Sequence, residues 1–234
     1  MGISVDSAAW PGILLIYEAV ALTLLQTVFS RKRFLKNCAD DFLAVRRYFL
    51  SLFTFGLAVP VTSVFALAPD PVGVFHSLGL RAGRWKLGLV LVAASIPVSL
   101  IAGAIGSGDS EMRSFYPFSK KALSGWKTFI GYELSYLLFY YTGWEFVFRG
   151  VLFFPIAAAA GLLPALAVST IASTLFHIGH PDTEIFAALG AGIVFGLIAW
   201  HTGSFLYLVP IHASIGIATD AFLYRKSSRE RSRL

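Results

Sequence analysis

Cysteine is all but missing from this chain. Cys38 is the only one, so no intrachain disulfide can form, and its place in a basic loop suits an ordinary reduced thiol. Charge is scarce as well: 14% of the 234 residues are Asp, Glu, Lys or Arg, too few to cover a soluble domain of this size. Low-complexity linkers, internal repeats and insertions of soluble length are also lacking, which argues for a single integral membrane domain over 1–234. The opening stretch MGISVDSAAWPG has no basic residue before the first apolar run, so that run is expected to be a retained span and not a cleaved signal peptide. Asp6 stands where a myristoylation signal requires Ser or Thr.

What the chain has instead is apolar surface. Hydrophobic residues make up 56% and aromatics 15%, and the mean hydropathy is +0.72. Apolar runs near the ~20 residues needed to cross a ~30 Å hydrocarbon core fall at about 11–30, 48–68, 87–106, 129–158, 163–179, 185–201 and 204–224. The fold class is therefore all-α, a polytopic helical membrane bundle of seven to eight transmembrane helices. An eighth arises only if Gly143 splits the fourth run, and one long, kinked helix there is preferred. With seven spans, the basic residues at 31–47, 113–127 and 225–233 share one side, while Arg81, Arg84 and Lys86 fall on the other. The positive-inside rule makes the first side, and with it the C-terminus, cytoplasmic. The net charge of +6 is scattered over juxtamembrane loops, which suits anionic lipid and argues against nucleic acid as a partner.

Ionisable residues within such runs carry the functional signal. Gly143 to Gly150 reads GWEFVFRG and sets Glu145 and Arg149 on one helix face, four residues apart, in a membrane-length segment. A charge at the bilayer centre costs at least ~2.5 kcal/mol, so a pair retained there is a site candidate. The fifth run ends in FHIGHPDTE, where His177 and His180 lie three apart, Pro181 stops the helix, and Asp182 and Glu184 open the next. The seventh run carries His212, with Ser214, Gly216 and Asp220 beyond it. Glu18 and Glu133 are further intramembrane acids, expected to be partnered by neighbouring helices. Gly190, Gly192 and Gly196 read as a packing stripe. The aromatic and basic segment MRSFYPFSKKALSGW is expected to lie in the interface, as an ordinary loop or as a gate over a buried site.

GWEFVFRG, HIGHPDTE and the membrane His together resemble the CPBP family, the type II CAAX prenyl endopeptidase and bacteriocin-processing (Abi) proteins, over roughly 110–224. These are intramembrane glutamic proteases, and the GWEF-type subgroup is the nearest in pattern. The resemblance implies three motifs, EExxxR, FxxxH and a His with Asn four residues on. Here Trp144 replaces the first Glu, Glu145 is the second, and Gly216 replaces the Asn. Phe176 and His180 satisfy FxxxH literally, whereas the subgroup pattern H-x-G-K-P-x-x-E aligns its His with His177, its Lys with His180 and its acid with Glu184. His177 is the favoured reading.

On this resemblance the expected activity is hydrolysis of a peptide bond in a membrane-associated protein or peptide. Peptide hydrolysis needs an activated water and a donor for the developing oxyanion. The catalytic candidates are Glu145 to activate the water, His177 to orient it or pass a proton to the leaving amine, and His212 to stabilise the oxyanion, with Arg149, His180 and Glu184 supporting. No cofactor is expected, Zn held by Glu145, His177 and His212 being a minor alternative. The competing function is a catalytically degenerate relative acting as an immunity, scaffold or transport protein. The expected location is a prokaryotic inner membrane. A reporter active only in the cytoplasm, fused after the last residue, should be active; activity of an export-dependent reporter at that position would invert the assigned orientation.

Overall fold

A computed structural model describes residues 6–232; the first five residues of the opening segment and the last two of the basic tail lie outside the described residues. The chain is all-helical and an integral membrane protein. Its helices are α1 (Trp10–Thr27), α2 (Arg31–Asn37), α3 (Asp41–Leu67), α4 (Pro71–Ser77), α5 (Trp85–Gly106), α6 (Ser110–Phe115), α7 (Trp126–Ala160), α8 (Leu162–Leu175), α9 (Asp182–Thr202) and α10 (Leu208–Arg231). No strand occurs among the described residues, only an isolated bridge between Ile178 and His180.

Each expected apolar run overlaps a helix, though the fifth runs past the helix end at Leu175 and the seventh begins ahead of Leu208. Five helical segments are long and apolar enough to cross a membrane: the run Ser7–Asn37 that includes α1 and α2, then α3, α5, α7 and α9. α8 is apolar but shorter. α10 has the length, though His212 and Asp220 interrupt its apolar half and basic residues fill its end.

Local chemistry accounts for the boundaries. Asp40, Asp70 and Asp109 cap α3, α4 and α6, each accepting backbone N–H bonds of the first turn at 2.9 Å. Gly161 at φ +90° and Gly203 at φ +68° turn the chain between α7 and α8 and after α9, in conformations that a Cβ disfavours.

α7 is the central element. In its apolar window 67% of residues are buried, against 17–28% in the other four spanning segments, whose outer faces carry Ile16, Phe65, Val90, Ile101 and Phe186 to lipid. It runs unbroken through Gly143. Two π-helical turns, Tyr136–Tyr141 and Phe146–Val151, flank that glycine, so the helix changes pitch on either side of it and is not split. What Gly143 supplies is close approach, since a Cβ there would sit 3.2 Å from the Leu52 carbonyl of α3. Around α7 lie two cores, one dominated by Tyr48, Phe49, Tyr132, Tyr136, Tyr140 and Trp144, the other by Leu14, Phe75, Phe146, Phe153 and Phe205.

Small residues seat the remaining helices. Gly192 packs on Thr170 and Gly196 on Leu166 and Phe153, as the stripe on α9 suggests, while Gly190 faces open space. α5 and α10 pair along their length, with Ser99 and Ser214 hydroxyls 2.6 Å apart. At Gly103 a Cβ would lie 2.7–2.8 Å from Ala218 and the Thr219 nitrogen. Gly103→Ala should therefore destabilise the protein by about 1–3 kcal/mol through overpacking. Gly131→Ala, where a Cβ meets nothing within 4 Å, is the matched control and should be neutral or stabilising; thermal unfolding in detergent compares the two.

Candidate active site

Glu145 is fully buried in the middle of α7, and two cations or donors converge on it. His212, from α10, places Nδ1 2.6 Å from Glu145 Oε1. Arg149, one turn further along α7, places Nε 3.7 Å from Oε2, beyond hydrogen-bond length but close enough for attraction. The guanidinium also lies over the Phe195 ring of α9 at 5.5 Å. Three helices thus contribute to one charged group. The carboxylate side chain has no exposure, whereas 19% of the His212 side chain remains exposed, so His212 is the accessible member of the pair.

The turn between α8 and α9 builds a second cluster. The Ser173 carbonyl accepts from His177 Nδ1 at 2.7 Å, leaving Nε2 unprotonated and 3.8 Å from Glu184 Oε1. His180 Nδ1 lies 3.0 Å from the same oxygen. The Tyr116 hydroxyl donates to it from the segment between α6 and α7. Burial, with the Glu184 carboxylate beside it, pushes the Tyr116 phenol well above its ordinary pKa, so it stays a donor at any physiological pH.

The segment expected in the interface covers this cluster. Phe115, Tyr116 and Phe118 all pack against the His180 ring. The segment is fastened from outside by Arg31, which stacks over Phe115 and Phe118 at 4.3 and 4.5 Å, and by the Lys121–Asp40 ion pair at 2.6 Å.

Trp144 stands at the junction of the two clusters. Its indole meets His177 edge-on at 5.0 Å and His212 at 5.9 Å between ring centres. The position of the first Glu in EExxxR is thus filled by a buried ring. His177, His180 and Glu184 come together; Glu145, Arg149 and His212 come together; the trio Glu145, His177 and His212 does not form one contact group. Glu18 and Glu133, expected to have partners on neighbouring helices, are buried with no hydrogen bond to either carboxyl oxygen, and Asp220 is in the same condition.

Two residues of the site escaped the sequence reading. Tyr116 is one. The other is Tyr141, whose ring lies 4.8 Å from that of His212 and whose hydroxyl fills the space that any Cβ at Gly216 would need. A tyrosine hydroxyl therefore occupies the neighbourhood where the third-motif Asn would stand. The available signal was its spacing, since Tyr141 precedes Glu145 by one helical turn. Ser214, the hydroxyl nearest in sequence to His212, is committed to Ser99 and the Ile211 carbonyl. A cleft of about 460 Å³ lined by His76, Arg81, Phe154 and Trp200 lies near the end of α7 and includes none of these residues.

The fold and site define a helical membrane protein with a buried carboxylate, guanidinium and imidazoles on facing helices. The family model for Rce1-like type II CAAX prenyl endopeptidases matches residues 126–218, from the start of α7 into α10, and so spans Glu145, Arg149, both α8–α9 histidines and His212. No curated protein and no solved structure gives a match.

Removing the guanidinium leaves a buried carboxylate with one partner fewer. Arg149→Ala should cost about 3–5 kcal/mol, seen as a fall in the detergent melting temperature and in membrane yield, with Arg149→Lys recovering part of the loss.

Proposed function

We infer that this chain is a CAAX-type intramembrane endopeptidase of the CPBP kind, GWEF-type, in which the Glu145–His212 pair is the general base. The observation that carries the reading is the 2.6 Å bond between Glu145 Oε1 and His212 Nδ1 in a segment similar to Rce1-like proteases. A carboxylate at Nδ1 holds the proton there and leaves Nε2 with its lone pair, on a side chain that remains 19% exposed. Nε2 then takes the proton of a water attacking the scissile carbonyl, and the imidazolium formed is stabilised by Glu145 at one nitrogen. The same proton passes to the leaving amine as the tetrahedral intermediate collapses.

Arg149 balances the charge of Glu145 and orients it. Tyr141 takes the place of the third-motif Asn as the oxyanion donor, beside Gly216. His177 presents an acceptor nitrogen and is suited to orient the water, not to donate to the oxyanion. His180 and Glu184 support it from behind. The base step uses no cofactor. The substrate is a membrane-associated protein or peptide, met in a bundle of seven spans in a prokaryotic inner membrane.

A second reading has one observation in its favour. The Trp144 indole fills the first-Glu position and Glu145 has no exposure, an arrangement equally suited to a degenerate relative that binds without cutting. Comparing membrane and secreted peptide termini from cells with wild type, Glu145→Gln or His212→Ala separates the two. Specific termini should fall at least ~100-fold in both variants at unchanged protein level. Identical termini in all three would remove the protease reading and leave the binding one.

A further inference from the structure

The second cluster has a use that hydrolysis by Glu145 and His212 does not require. We propose that His177, His180 and Glu184 form a three-ligand site for a divalent transition metal of the Zn²⁺ class, with the fourth position open. The ligand atoms of the three lie within 4.8 Å of one another. Glu184 Oε1 is 3.0 Å from His180 Nδ1 and 3.8 Å from His177 Nε2. Tetrahedral Zn²⁺ with bonds near 2.0 Å sets its ligands about 3.3 Å apart, between those two values.

The surroundings of the ligands match what metal-bound histidine needs. His177 gives its Nδ1–H to the Ser173 carbonyl, so the nitrogen facing Glu184 carries a lone pair and no proton. That lone pair and a carboxylate oxygen, which the Tyr116 hydroxyl and His180 also approach, face each other across 3.8 Å in a largely enclosed setting, an arrangement that a cation between them stabilises. The Tyr116 hydroxyl donates to the same carboxylate, as an outer partner of a ligating Glu does. Glu184 Oε2 is buried and has no partner of its own, which leaves this carboxylate short of one contact. Two imidazoles and one carboxylate favour Zn²⁺ or a neighbouring first-row ion over Ca²⁺ or Mg²⁺, which take oxygen ligands.

The zinc set weighed from sequence, Glu145 with His177 and His212, differs from this one. Only His177 is common to both. The proposal shares His177, His180 and Glu184 with the protease reading, and a metal held there would take over the His177 nitrogen that orients the water; its readout is bound metal and not cleavage, so the two are tested separately.

The full chain, purified in detergent without a polyhistidine tag and stripped with chelator, is titrated with Co²⁺ alone and then with Zn²⁺. Wild type should bind one Co²⁺ per chain with a visible ligand-field band that Zn²⁺ abolishes. Glu184→Gln keeps the side-chain volume, and it and His180→Ala should weaken binding at least ~10-fold; Glu145→Gln, in the other cluster, should bind as wild type does. Absence of stoichiometric binding to wild type overturns the proposal. So does equal binding by wild type, Glu184→Gln and His180→Ala, which would show adventitious surface metal only.

Discussion

The structure depends on a charge that has nowhere else to go. Glu145 sits at the centre of the most buried helix, in surroundings that offer almost no solvation, and its carboxylate is tenable only because Arg149 and His212 are brought to it. That requirement couples three helices. α7 must hold Glu145 and Arg149 one turn apart, α10 must approach closely enough for a 2.6 Å bond, and α9 must supply the Phe195 ring under the guanidinium. The glycines at the crossings serve the same end, since Gly143 lets α3 close on α7 and Gly216 lets α10 close on Tyr141.

The π turns on either side of Gly143 belong to this geometry. A π turn rotates the residues beyond it relative to an unbroken α-helix, so the faces presented by Tyr141, Trp144, Glu145 and Arg149 are not those of a uniform 3.6-residue repeat. Trp144 is turned toward the two histidines, whereas Glu145, its neighbour in sequence, is turned to His212 and Arg149. One motif thereby serves two clusters.

The helical, membrane-bound character of the chain was legible in composition and run length, because solvation by lipid demands both over most of the chain. The pairing of Glu145 with Arg149 was legible too, because it is local to one helix. The partner of His212 was not, since it lies 67 residues away in sequence and depends on how α10 docks. The choice between His177 and His180 stayed open in the sequence for a physical reason: both bracket a turn, and both reach Glu184. Tyr116 and Tyr141 read as ordinary aromatics until their neighbours are known, and Gly216 reads as a lost Asn until the hydroxyl beside it is seen.

Trp144 has a consequence for proton movement. An indole carries one N–H donor, no acceptor nitrogen and no charge to exchange, so it cannot pass a proton from one imidazole to the other. With that ring against both His177 and His212, a proton moves between the two imidazoles only through a water or substrate group that both of them reach.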